Sequence, residues 1–132
     1  MRAPSPALEE IRRNAAADRL PLHAQIELTH RCNLRCRHCY LAGGSPVPEP
    51  ELTRDEIVAL LRQLAGLQTL FLTFTGGEAL LRPDLFDILG AARAEGFVVS
   101  LLTNGTLVTR EVAKRLASCA PYQVHVSLLG PE

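Results

Sequence analysis

Residues 53–75, TRDEIVALLRQLAGLQTLFLTFT, carry one helix signal followed directly by one strand signal. Thr53 with Glu56 three residues on has the form of a capping box, and Leu52 with Ile57 has the spacing of a hydrophobic staple. Ile57, Leu60, Leu61 and Leu64 recur at helical spacing, and Gly66 is the expected left-handed stop. Residues 69–75 are then rich in β-formers and nearly all apolar, with Leu70, Leu72 and Phe74 on one side, as a strand covered by helices requires.

The same alternation extends to both sides. Pro83 opens a second helix, with Asp84 in its first turn, Leu85, Ile88, Leu89 and Ala92 as its buried stripe, and Gly96 at its end. Residues 97–103 form the next strand. Asn104-Gly105 is a turn signal, but the segment after it is capped by Thr109, carries Val112, Ala113 and Leu116 at helical spacing, and is closed by Pro121, so it is a helix and not the return arm of a hairpin. Residues 122–128 alternate Tyr122, Val124, Val126 and Leu128 against Gln123, His125 and Ser127, a strand with one polar face. Upstream, residues 23–29 alternate Ala24, Ile26 and Leu28 against Gln25, Glu27 and Thr29. A short leading helix starts at Ser5-Pro6, with Leu8, Ile11 and Ala15 on one face.

The order β, α, β, α, β, α, β with short connections requires parallel strands joined by right-handed crossovers, hence an α/β sheet. Thr29, Thr75, Thr103 and Ser127 stand at or near the C-terminal ends of the four strands, the rim where barrel-type α/β folds place their chemistry. The chain thus divides into an N-terminal helical extension, residues 1–22, and a parallel (βα) unit, residues 23–132, that stops after its fourth strand.

Composition narrows the function. With 132 residues and 47% hydrophobic residues the chain is large enough for a packed core. Fourteen basic residues balance 14 acidic ones, so no net field attracts nucleic acid or an anionic membrane. Uncharged stretches are too short and too interrupted to span a bilayer, and Met1-Arg-Ala-Pro-Ser-Pro lacks an apolar signal core, which makes the cytoplasm the expected address and reduced thiols the expected state of its cysteines.

Three of the four cysteines, Cys32, Cys36 and Cys39, lie within eight residues, directly after the first strand and in a long loop rich in Gly and Pro. A four-iron cluster has four corners, so three thiolates leave one iron open to chelate a small molecule. The competing reading is zinc, which as a structural ion takes four closed N/S ligands, with only His30 or His38 to complete the set locally. Gly76-Gly77-Glu78 follows the second strand at the same rim; two glycines permit close backbone approach to a ligand, and a carboxylate beside exposed amides can hold an ammonium group, although an ordinary βα turn would look the same.

The Cys-x-x-x-Cys-x-His-Cys run after the first strand and Thr75-Gly-Gly-Glu78 after the second resemble the radical S-adenosylmethionine enzymes. Thr103-Asn104-Gly105 and Ser127-Leu-Leu-Gly130 resemble two further elements of that superfamily, so the likeness runs from about Ala24 to Gly130. The resemblance implies a partial TIM-like barrel in which Cys32, Cys36 and Cys39 ligate a [4Fe-4S] cluster. It implies His38 against the adenine of S-adenosylmethionine, Gly76, Gly77 and Glu78 at its amino group, Ser127 at its carboxylate or ribose, and Thr103 and Asn104 nearby. It further implies reductive cleavage of the cofactor to a 5′-deoxyadenosyl radical that abstracts hydrogen from a peptide or small-molecule substrate, with an electron donor such as flavodoxin or ferredoxin. The run from Leu28 through Tyr40 is most like members that modify peptides or act in cofactor and haem biosynthesis, often with a second cluster domain.

The chain departs from the family pattern at Ala79, where Pro often stands, at Leu129, where Asp or Tyr is common, and in stopping after four of six βα units. The open sheet edge that results calls for a missing C-terminal half or a partner chain. The alternative reading is a non-catalytic iron–sulfur or zinc module left by truncation. Of the remaining residues, Cys119 reads as a small buried hydrophobe, His125 as a hydrogen-bonded interior histidine or a substrate contact, and Glu27 as either a paired core carboxylate or a substrate contact. Arg31, Arg35 and Arg37 are solvated or border an electron-donor docking face.

Overall fold

The computed structural model describes residues 5–37, 39–41 and 50–128. The elements are α1 (Pro6–Ala17), β1 (His23–Glu27), α2 (Arg54–Gly66), β2 (Phe71–Thr75), a 3₁₀ turn (Ala79–Leu81), α3 (Leu85–Ala94), β3 (Val98–Thr103), α4 (Arg110–Cys119) and β4 (Gln123–Val126). All strand pairs are parallel and the order in the sheet is β1-β2-β3-β4, the order in the chain. Leu72, Phe74, Val99 and Leu101 on one face of the sheet share a single buried cluster with Ile57 and Leu61 of α2, Leu85, Ile88, Leu89 and Ala92 of α3, and Leu116 of α4. Successive strands placed side by side, with their connecting helices on one face, are the winding of a (βα) barrel rather than of a doubly wound sheet.

The other face is polar. Gln25, Thr73, Ser100 and Gln123 form one register row across all four strands. Phe71, Val98 and Leu102 also lie on this face, but the buried hydrophobic cluster forms on the helix side.

Local chemistry sets the boundaries. Ser5 accepts the Leu8 N–H at the start of α1, and Thr53 with Glu56 makes both bonds of the capping box. Two expectations are corrected. Gly66 stays inside α2, and the left-handed residue is Gln68, with φ of 62°; Thr69 N–H reaches Leu64 O and Gln68 N–H reaches Ala65 O, a Schellman closure that falls two residues later than the glycine. Pro83 does not open α3, because the chain first makes the 3₁₀ turn and Asp84 becomes the cap. Ile11 of α1 is 44% exposed while Ala15 on the same face is buried, and Leu52 is 48% exposed beside the buried Ile57. β4, the last strand of the sheet, is exposed at all four residues.

Candidate functional site

The four strands point their C-terminal ends at one cavity of about 540 Å³. From β1 come Cys32, Cys36, Cys39 and Tyr40, from β2 Thr75, Gly76 and Gly77, from β3 Thr103, Asn104 and Thr106, and from β4 Ser127. Segments 95 residues apart in sequence (Cys32 to Ser127, 127 minus 32) thus meet because parallel strands deliver every βα loop to the same rim. His38, Leu129 and Gly130, each singled out above, lie outside the described residues.

The two cavity-lining glycines also make room for a neighbouring loop. A Cβ at Gly76 would stand 2.2 Å from Thr29 O, and one at Gly77 would stand 2.3 Å from Arg31 O. The space they leave is filled by the backbone of the cysteine loop: Gly77 N–H donates to Thr29 O at 2.7 Å and Glu78 N–H to Arg31 O at 2.8 Å. Gly76 also takes φ of 137°, a conformation that side chains disfavour. These glycines seat one loop on the other, which places Cys32 beside Gly77.

Glu78 is buried to 1% exposure and is absent from the cavity lining. Its Oε1 accepts the Leu80 N–H at 3.0 Å and the Thr103 hydroxyl at 2.8 Å, and its Oε2 accepts the Asn104 N–H at 2.7 Å. Thr103 in turn accepts the Gly105 N–H at 3.0 Å. The carboxylate therefore fastens the β2 rim to the β3 rim and holds Asn104 in place.

Asn104 closes a small amide ring over the cysteine loop. Its Nδ2 donates to Asn33 Oδ1 at 2.9 Å, Asn33 Nδ2 donates to Thr106 Oγ1 at 2.8 Å, and the Thr106 hydroxyl donates back to Asn104 Oδ1 at 2.7 Å. Cys32 Sγ accepts from the Leu34 N–H at 3.4 Å and from Asn104 Nδ2 at 3.8 Å.

Beneath the loop, Glu51 accepts from the Thr29 hydroxyl and from Arg31, with Arg31 Nε at 3.2 Å. Burial pushes the Glu51 carboxyl up, but the Thr29 hydroxyl and the Arg31 guanidinium outweigh it and hold the group below the usual carboxylate range. Arg82, 7% exposed, donates through Nη1 to Leu28 O at 2.8 Å and Leu52 O at 3.0 Å, and bidentately to Asp84 at 2.8 and 2.6 Å. Asn33, Thr106, Glu51 and Arg82 were not legible as site residues. Asn33 meets Thr106 73 positions away, Glu51 meets Arg31 20 positions away and Arg82 meets Leu28 54 positions away, and no local spacing announces such contacts.

The single residues left open resolve as follows. Glu27 is exposed and paired, accepting the Tyr40 hydroxyl at 2.8 Å and lying 3.3 Å from His30 Nε2; the bond to this carboxylate pushes the Tyr40 phenol above its ordinary value. His125 is not interior, because edge strand β4 leaves it exposed, bonded to Gln123 at 3.0 Å. Cys119 packs at the core margin and is not among the residues lining the cavity. Arg31 is engaged by Glu51, whereas Arg35 is exposed.

All described cysteines are free thiols, and among the described residues no three His, Cys, Asp or Glu side chains are close enough to enclose a single metal ion. Three thiols spread around one large cavity fit a polynuclear cluster with space for an organic ligand beside it. A parallel, sequentially ordered sheet with such a rim is a (βα) partial barrel with a thiol-lined site.

The comparisons carry this to a family. The radical SAM superfamily description matches residues 26–132, and the chain belongs to that superfamily, whose members use a [4Fe-4S] cluster and S-adenosylmethionine. It is 41% identical over 104 residues to the AdoMet-dependent heme synthase of Methanosarcina barkeri, covering 79% of this chain and 30% of that protein. It is 35% identical over 125 residues to the PqqA peptide cyclase of Bradyrhizobium diazoefficiens, covering 95% and 33%. Streptococcus suis SuiB bound to S-adenosylmethionine shares the fold with a TM-score of 0.68 at 23% identity, over 97% of this chain and 30% of SuiB. The chain spans about a third of the length of the curated relatives it matches. Among the described residues no helix is long and apolar enough to cross a membrane.

Proposed function

We propose that residues 23–132 carry the cofactor-binding part of a radical SAM enzyme that modifies a peptide or acts in cofactor biosynthesis, with residues 1–22 as a helical extension. The observation that carries this reading is the convergence of Cys32, Cys36 and Cys39 with Gly76, Gly77, Thr103, Asn104 and Ser127 on one cavity. When bound, the reduced cluster and S-adenosylmethionine supply cleavage of the cofactor's carbon–sulfur bond and the hydrogen abstraction that follows.

This chain's own residues hold and shape that site. Cys32, Cys36 and Cys39 are the iron ligands. The backbone of Gly76 and Gly77 offers polar groups to the cofactor's amino end, and Ser127 offers a hydroxyl to its carboxylate or ribose. Glu78 acts one step back: its oxygens are already engaged with Leu80, Thr103 and Asn104, so it holds the rim on which the cofactor rests. His38, next to Cys39 in sequence, is the proposed adenine contact. The reading includes a one-electron donor of the flavodoxin or ferredoxin kind and a cytoplasmic address. The peptide side is favoured by a relative named for cyclising the PqqA peptide.

Anaerobic reconstitution with iron and sulfide tests it. The expected result is about four irons per chain, a change in the electron paramagnetic resonance of the reduced cluster on adding S-adenosylmethionine, and release of 5′-deoxyadenosine. Cys36→Ala abolishes iron uptake and Cys119→Ala leaves it intact. Stoichiometric zinc without iron uptake, or the reverse pattern in the two variants, refutes the reading.

A further inference from the structure

Glu27, the last residue of β1, is used by neither the cavity lining nor the proposed ligand set. Its two oxygens nevertheless reach opposite ends of the cysteine loop. Oε1 accepts the hydroxyl of Tyr40, the residue directly after Cys39, at 2.8 Å. Oε2 lies 3.3 Å from Nε2 of His30, two residues before Cys32. Between these ends the described residues form no helix or strand, so the loop has few backbone bonds of its own, Cys39 N–H to Cys36 O at 3.2 Å being one. Its middle is tied to the β3 rim through Asn33 and Asn104, but that tie does not set the distance between its ends.

The backbone that carries this carboxylate is fixed at the end of a paired strand, Glu27 opposite Thr75. Tyr40, hydrogen-bonded to one oxygen, and His30, 3.3 Å from the other, are thereby gathered at the same strand end. We propose that Glu27 is a positioning residue, a clasp that holds His30 and Tyr40 together and thereby sets the separation of Cys32 and Cys39 before a cluster is bound. This rests on the reading of the three cysteines as ligands. Its physical benefit is entropic: thiols gathered on a closed loop lose less freedom when they take up iron.

The test measures site-resolved amide exchange on the cluster-free chain, with the reduced-cluster resonance as a second signal. Tyr40→Phe removes one bond and no ring, and speeds exchange about fivefold around Cys39–Leu41 alone, the effect of one partly exposed hydrogen bond. His30→Ala does the same around Arg31–Asn33 alone, and Glu27→Ala does both. Glu27→Gln, which keeps an acceptor for Tyr40, preserves protection at the Cys39 end. After reconstitution, Tyr40→Phe changes the line shape of the reduced cluster while its urea midpoint matches wild type. Unchanged exchange at both ends in Glu27→Ala, or faster exchange spread evenly over the chain, overturns the clasp. Failure of the wild-type chain to take up iron refutes the ligand reading alone, because the exchange pattern is read without a cluster.

Discussion

Replacing Gly77 by Ala places a methyl group 2.3 Å from Arg31 O, 2.7 Å from Arg31 C and 2.8 Å from His30 O. Ordinary contact begins near 3.4 Å, so the cysteine loop must retreat by about 1 Å. All three clashing atoms are backbone, and no side chain can rotate out of the way. The retreat breaks the bonds from Gly77 N–H to Thr29 O and from Glu78 N–H to Arg31 O. Two such bonds are worth about 1 kcal/mol each, and forcing atoms into a packed site adds about 1–3 kcal/mol. The smaller entropy of the unfolded alanine chain returns about 0.4–1 kcal/mol. The net loss is about 2–4 kcal/mol, or about 1–2 M in urea midpoint for a slope near 2 kcal/mol/M.

Gly90→Ala is the matched control. Gly90 lies within α3, is exposed, and nothing stands within 4 Å of its added Cβ, so this variant gains about 0.5–1 kcal/mol. Urea unfolding of the cluster-free chain measures both, and iron uptake reports whether Cys32, next to Arg31, has moved. A Gly77→Ala chain with wild-type midpoint and wild-type iron content would refute the account of the seated loops.

Two further outcomes are expected. Glu78→Ala leaves the Thr103 hydroxyl and the Asn104 N–H without their acceptor and costs about 2–4 kcal/mol by urea unfolding; an unchanged midpoint would mean that water replaces the carboxylate. Asp84 is held below the usual carboxylate range by its bond to Arg82, and Glu51 is held low despite its burial, so both folded-state values are depressed. Their contribution is full above about pH 5 and is lost as pH falls through about 4 toward the folded values. Arg82→Met should flatten that acid limb in a pH series of unfolding midpoints, and an equally steep limb in the variant would assign the loss to other carboxylates.

Much of this was legible locally. The capping box at Thr53 and Glu56 and the caps at Ser5 and Thr109 form as spaced, because a helix end is satisfied by residues within one turn. Alternation and helical stripes placed every strand and helix, and the chain order βαβαβαβ implied the parallel sheet. The boundary errors at Gly66 and Pro83 arose where neighbouring turns offered competing hydrogen bonds. That His125 is exposed rather than interior is not legible locally, because a polar face in the sequence does not disclose whether anything packs against it.

From its sequence alone, then, this protein declares which segments are helix or strand, that its strands run parallel, and that three thiols share one loop, since each follows from residues a few positions apart. Tertiary structure alone decides that Gly76 and Gly77 make room for the cysteine loop, that Glu78 binds one rim to the next, that Arg82 is buried, and that Glu27 joins His30 to Tyr40. Those contacts depend on which loops the sheet register brings together, and hydrogen-bond partners dozens of residues apart leave no periodic trace in the chain.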